Sequence, residues 1–168
     1  KYVHDSNRHK PHASSYDLTI KGIELTREIL GHDQVSALMT TTKLSLDYPI
    51  EIVEEYFNRG FQGIFLRNIS PYGFALRTEK SKYETEKFLT FYKKALDRII
   101  EYNFEGHHFT EDLARIFLTK ILSPFNVGFV DLQSPAGLIN GVIVFNYDGG
   151  VYATDESRML AEQKDFTF

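Results

Sequence analysis

Cysteine is absent from all 168 residues, and that gap removes several kinds of chemistry at once. Without thiols the chain by itself has no disulfide, no thiolate metal site, no cysteine nucleophile and no iron–sulfur ligation. Long apolar runs are missing as well. No stretch approaches the roughly twenty residues of a membrane span, and no apolar segment near the start resembles a signal peptide. There is no long basic block, and the formal net charge is −4. Neither nucleic acid nor an anionic membrane is therefore an expected partner. Internal repeats and low-complexity tracts are absent too, and a cytoplasmic setting is the expectation.

What is present begins with size. A chain of this length is about one domain and can bury roughly two thirds of its unfolded surface, so it needs no covalent staple to fold. The most informative stretch runs over residues 35–73. Short apolar runs at 35–39 and 63–66 predict two strands, each followed by polar groups: Thr40, Thr41 and Thr42 after the first, Arg67, Asn68 and Ser70 after the second. Between them Ile50, Val53, Tyr56 and Phe57 recur at helical spacing. Asp47 and Pro49 are expected at the start of that helix and Gly60 at its end. The unit reads as β-α-β with a right-handed connection. In parallel α/β folds the C-terminal strand ends build the binding site, which makes these polar groups the first candidates for function.

The flanks follow the same logic. Residues 16–30 predict a helix with Ser14 or Ser15 as cap and Gly31 as stop. Residues 77–87 read as a connection that frames the site. Phe88, Phe91, Tyr92, Ala95, Leu96, Ile99 and Ile100 mark a long amphipathic helix. Leu113, Ile116, Phe117, Lys120 and Ile121 mark another that stops before Pro124. The two are expected as an antiparallel pair joined by a solvated turn at His107 and His108. Val142, Val144 and Phe145, then Asn146, Tyr147, Asp148, Gly149 and Gly150, then Val151 and Tyr152, predict a β-hairpin, because Gly accepts positive φ at the turn. The opening, KYVHDSNRHKPH, reads as a polar loop from the middle of a longer protein. His4, His9 and His12 in that loop have no standard metal-ligand spacing, so no metal site is expected. Asp155 and Glu156 would form an acid–base pair only if the fold turned them inward.

Three segments resemble a known family. KYVHDSNR is similar to the loop after the third barrel strand of radical S-adenosylmethionine enzymes that mature peptides. The stretch containing SALMTTT and IFLRNISPYGFA is similar to their fourth and fifth strands. NYDGGVYATDESRMLAE is similar to the start of their SPASM-like C-terminal extension, and the likeness is greatest to maturases of the His-Xaa-Ser peptide system. The resemblance implies an α/β fold, the second half of a partial (β/α)6 barrel over residues 1–132, followed by a β-hairpin extension over 133–168. It implies a complete protein that uses S-adenosylmethionine and a [4Fe-4S] cluster to generate a 5′-deoxyadenosyl radical, which abstracts hydrogen from a ribosomally made peptide. The family's three-cysteine cluster motif is absent here. Ser134 and Thr154 stand where many relatives carry cysteine. The chain alone is therefore expected to hold no cofactor and to be inactive.

On that resemblance Thr40, Thr41 and Arg67 are cofactor-binding candidates, the threonines for ribose hydroxyls or the amino-acid end and Arg67 for a carboxylate through its planar fork. Asn68, Ser70, Tyr72, His4 and Arg8 are candidates for the peptide side, and no catalytic residue is assigned. The structural alternative has the threonines capping the next loop and Arg67 in an internal salt bridge. Two functional classes follow. One is the barrel half of a radical enzyme, with an open sheet edge prone to self-association. The other is a non-enzymatic α/β module that binds a small anion or peptide at the strand ends.

Overall fold

The structure is a computed structural model that describes residues 1–69, 83–129 and 142–164. These divide into two compact units, one of residues 1–69 and 83–113, the other of 114–129 and 142–164.

The first unit is a three-stranded parallel sheet in the order β1-β2-β3, with β1 Leu38–Thr40, β2 Gly63–Arg67 and β3 Thr110–Glu111. Two helices precede β1: α1, Tyr2–Asn7, and α2, Ser15–Leu30. Helix α3, Pro49–Asn58, links β1 to β2, and helix α4, Thr85–Phe104, lies between β2 and β3 in the chain. Successive side chains of a strand point to opposite faces. Met39, Ile64 and Leu66 therefore share the face that α3 and α4 cover. There they join Val53, Phe88, Phe91, Ala95 and Ile99 in one core. Val53, Ile64 and Leu66 are 0% exposed. Both crossover helices lie on this one side, packed against each other, as successive crossovers of one hand require.

The predicted β-α-β unit is present with shifted boundaries. Strand β1 occupies 38–40 instead of 35–39, because a 3-10 turn, His32–Gln34, leads into Val35 and the strand pairing to β2 begins only at Leu38. Thr40 and Arg67 are consequently the last residues of their strands and not the first loop residues. Asp47 does not cap α3. It ends a 3-10 turn, Leu44–Asp47, and Tyr48 takes the cap position without a side-chain bond. Pro49 does open the helix and Gly60, at φ +72°, follows its end. Ser14 caps α2 through a 3.1 Å bond from the Asp17 amide, and Gly31 stops it at φ +101°.

Three expectations are corrected. Residues 2–7 are helix and not loop, since the Asp5 carboxylate folds α1 back onto the start of α2. It accepts the Tyr16 amide at 2.8 Å and the hydroxyls of Ser14 and Ser15 at 2.9–3.0 Å. Residues 85–87, read as connection, are the first turn of α4. The His107 and His108 turn does not join two helices directly but leads into β3, which lies parallel to β2. The approach there is close: a Cβ on Gly63 would sit 2.6 Å from the Thr110 carbonyl oxygen, which glycine alone avoids. Asn103 ties the end of α4 to this strand by donating to the Ile99 and Phe109 carbonyls at 2.8 and 2.7 Å.

Helix α5, Asp112–Leu122, whose residues from Ala114 on belong to the second unit, ends before Pro124 as expected. The predicted hairpin forms from β4, Val144–Phe145, and β5, Val151–Tyr152. Its turn is closed by the Asn146 amide on the Gly150 carbonyl at 2.8 Å, with Gly149 at φ +85°. Helix α6, Asp155–Glu162, follows. Thr154 caps it in a reciprocal box with Ser157, its hydroxyl accepting the Ser157 amide at 3.0 Å. Asp155 and Glu156 lie exposed in the first turn, and Asp155 pairs with Arg158 at 2.8 Å. They do not form an inward acid–base pair.

Candidate functional site at the strand ends

The C-terminal ends of β1 and β2 gather the polar residues that the sequence singled out. Thr40 and Arg67 are register partners and share the sheet face opposite α3 and α4. On that face Leu38 is 62% exposed, and no described helix covers it as α3 and α4 cover the other face. A parallel sheet normally has both faces covered. Thr40 and Arg67 are exposed. Arg67 forms no ion pair with another described residue.

Thr41 behaves differently. It is 0% exposed, and its hydroxyl is buried without a hydrogen-bond partner among the described residues. Its backbone is fully used: the amide donates to the Arg67 carbonyl at 2.8 Å and the carbonyl accepts from the Tyr83 phenol at 3.0 Å. Thr42 turns to the N-terminal helix, its hydroxyl accepting the Asn7 amide at 2.9 Å and lying 2.9 Å from Ser45 Oγ.

Sequence reasoning missed two residues here. Tyr83 Oη reaches Thr41 O, Asn68 Oδ1 at 2.6 Å and the Ile69 amide at 3.0 Å. Its single proton is shared between the two acceptors, while its oxygen accepts from Ile69. Burial raises its pKa, which keeps the phenol protonated. Glu111, 3% exposed, accepts the Leu66 amide at 3.0 Å through one carboxylate oxygen and the Tyr92 hydroxyl through the other. Because β3 ends at Glu111, β2 has no strand carbonyl at Leu66, and the carboxylate supplies the missing acceptor. The only sequence signal was an acid directly after Phe109 and Thr110, which reads more simply as the start of a helix.

Asn68 sits beside Arg67 and is exposed. Ser70 and Tyr72 lie outside the described residues. His4 is on α1, with Nδ1 3.1 Å from Ser15 Oγ and its ring edge-on to Tyr16. Burial, and then the charge of Arg8, lowers its pKa. Asp5 is also lowered, first by the Tyr16 amide bond. Arg8 is exposed just past the end of α1. Thus Asn7, not His4 or Arg8, supplies the bond between α1 and the β1 end. Among the described residues no three of His, Cys, Asp and Glu are grouped to hold a metal ion, and no helix is long and apolar enough to cross a membrane. No family model, curated protein or solved structure matches the chain.

Proposed function

We propose that the chain is part of a cytoplasmic radical S-adenosylmethionine enzyme that modifies a ribosomally made peptide, and that it contributes a cofactor-holding wall and not the reacting centre. The observation that carries this reading is the Thr40–Arg67 pair. A hydroxyl and a guanidinium stand in register at parallel strand ends, on the face away from α3 and α4, both exposed and with no side-chain hydrogen bond or ion pair to another described residue. These are the donors that a ribose hydroxyl or an amino-acid carboxylate requires. The one-sided helix layer, and a β1 that is an edge strand among the described residues, also suit a partial (β/α)6 barrel whose remaining strands would continue from that edge.

Bound S-adenosylmethionine, with a [4Fe-4S] cluster, would supply the radical chemistry. Thr40 and Arg67 fit the former. No residue of this chain fits the latter, since cysteine is absent, and the chain alone is inactive on this reading. Thr41, being buried, would support Thr40 through the backbone and not touch the cofactor. The peptide would meet Asn68, Ser70, Tyr72, His4 or Arg8. The open edge would favour self-association of the isolated chain.

Anaerobic reconstitution tests the proposal. The isolated chain is expected to bind no stoichiometric iron. A protein that contains both the chain and the three-cysteine motif is expected to show a cluster signal in electron paramagnetic resonance that changes on adding S-adenosylmethionine, and Arg67→Ala should remove the change. Stable incorporation of a cluster by the isolated chain would refute the division of labour.

A second reading is a non-enzymatic α/β module that binds a small anion at the same strand ends. The Arg67 guanidinium, which has no ion pair among the described residues, favours it, together with the closed core of the first unit. Light scattering separates the two: concentration-dependent association follows from the barrel half and a stable monomer from the module.

A further inference from the structure

We propose that Tyr83 is the positioning residue of the strand-end site, and that through Asn68 it makes the site selective for a carboxylate over a neutral amide. This takes its site from the reading above and adds to it a residue and a ligand preference.

The phenol touches both strand ends. It bonds Thr41 O just beyond β1, and Asn68 Oδ1 and the Ile69 amide just beyond β2. The ladder bond from the Thr41 amide to the Arg67 carbonyl joins the same ends from the backbone. Thr40 and Arg67, each preceding one of these tied residues, are thereby held in register at a point where regular pairing stops. Without the phenol, one backbone bond would remain.

The second consequence concerns polarity. Asn68 Oδ1 accepts from Tyr83 at 2.6 Å and from the Ile69 amide at 2.8 Å, each proton being shared with a second acceptor, and these bonds engage the oxygen end of the side chain. The free group of that side chain is then its NH2. Together with the guanidinium of Arg67, the strand ends offer donors, with the Thr40 hydroxyl able to donate as well. A carboxylate is acceptor-only, can accept from all three and pairs its charge with the guanidinium, whereas an amide is neutral and brings N–H donors for which, among these three groups, only the Thr40 hydroxyl can accept. Tyr83 lies on neither strand, and no sequence pattern marks it.

The test uses the chain labelled with nitrogen-15 and two probes, N-acetyl-glycylglycine with a free carboxylate and the same peptide as its C-terminal amide. The acid is expected to shift the Arg67 Nε–H and Asn68 NH2 signals, and the amide is not. Tyr83→Phe should weaken the acid's binding about ten-fold and speed hydrogen exchange at the Ile69 amide, with the other sheet amides still protected. Equal response to both probes, no response to either, or unchanged binding in Tyr83→Phe would overturn the proposal. Asn68→Asp supplies a second variant, expected to abolish the acid's binding by placing a charge of the same sign. S-adenosylmethionine, titrated separately, addresses the cofactor reading. That titration uses the protein that contains both the chain and the three-cysteine motif: if S-adenosylmethionine fails to bind there while the acid binds the chain selectively, that reading falls and the carboxylate site stands.

Discussion

Thr40 and Arg67 are Cα partners at the ends of two parallel strands, a hydroxyl beside a guanidinium on the sheet face that the helices leave open. Because both are exposed, their substitution should spare the fold. Thr40→Val and Arg67→Ala are each expected to change unfolding free energy by less than about 0.5 kcal/mol, measured by urea denaturation. A loss above about 1 kcal/mol for Arg67→Ala would mean that the guanidinium is a structural group.

Glu111 should act in the opposite way. Its carboxylate is the acceptor for a buried strand amide, so Glu111→Ala leaves that N–H unpaired and is expected to cost about 1–3 kcal/mol. Glu111→Gln keeps a carbonyl oxygen able to accept and should cost less. Equal loss in the two variants would show that the charge, and not the acceptor, matters.

Gly63 has its own requirement, set by the 2.6 Å approach of a Cβ to the Thr110 carbonyl oxygen. Backbone must move to admit alanine, and Gly63→Ala is expected to cost about 1–3 kcal/mol. The loss of β2–β3 pairing should appear as faster exchange at the Thr110 amide, which donates to Gln62 O.

The α1–α2 clasp should weaken in acid. The folded pKa of His4 is lowered by burial and by Arg8, so the unfolded chain takes up its proton first. The corresponding stability is full above the unfolded value of about 6.5 and is lost as pH falls through the lower folded value. Asp5, lowered chiefly by the Tyr16 amide bond, adds a second loss below about 4. Melting temperature against pH should fall in two stages, with Asp5→Asn removing the lower one and His4→Gln the upper.

Much of this was readable from residue order. Helices α2, α3 and α4 announced themselves through periodic apolar positions, and Ser14, Pro49, Gly31 and Gly60 through backbone chemistry that few other residues satisfy. The hairpin followed from its Asp-Gly-Gly turn. Strand β3 was hidden because two residues are too few to show alternation and one of them is a buried acid. Helix α1 was hidden because its fold depends on Asp5 meeting Ser14, Ser15 and Tyr16 across a turn. Thr40 and Arg67 were placed at strand ends by the apolar runs that precede them. Tyr83 was not, since its role depends on where a distant phenol comes to rest.

The proposal that a radical enzyme contains this chain has one decisive check, the genomic reading frame on the 5′ side of the Lys1 codon. An uninterrupted frame carrying three cysteines spaced by three and two residues is the expected result. A start codon at that point, with no such motif in frame, would rule out the radical enzyme and leave the anion-binding module.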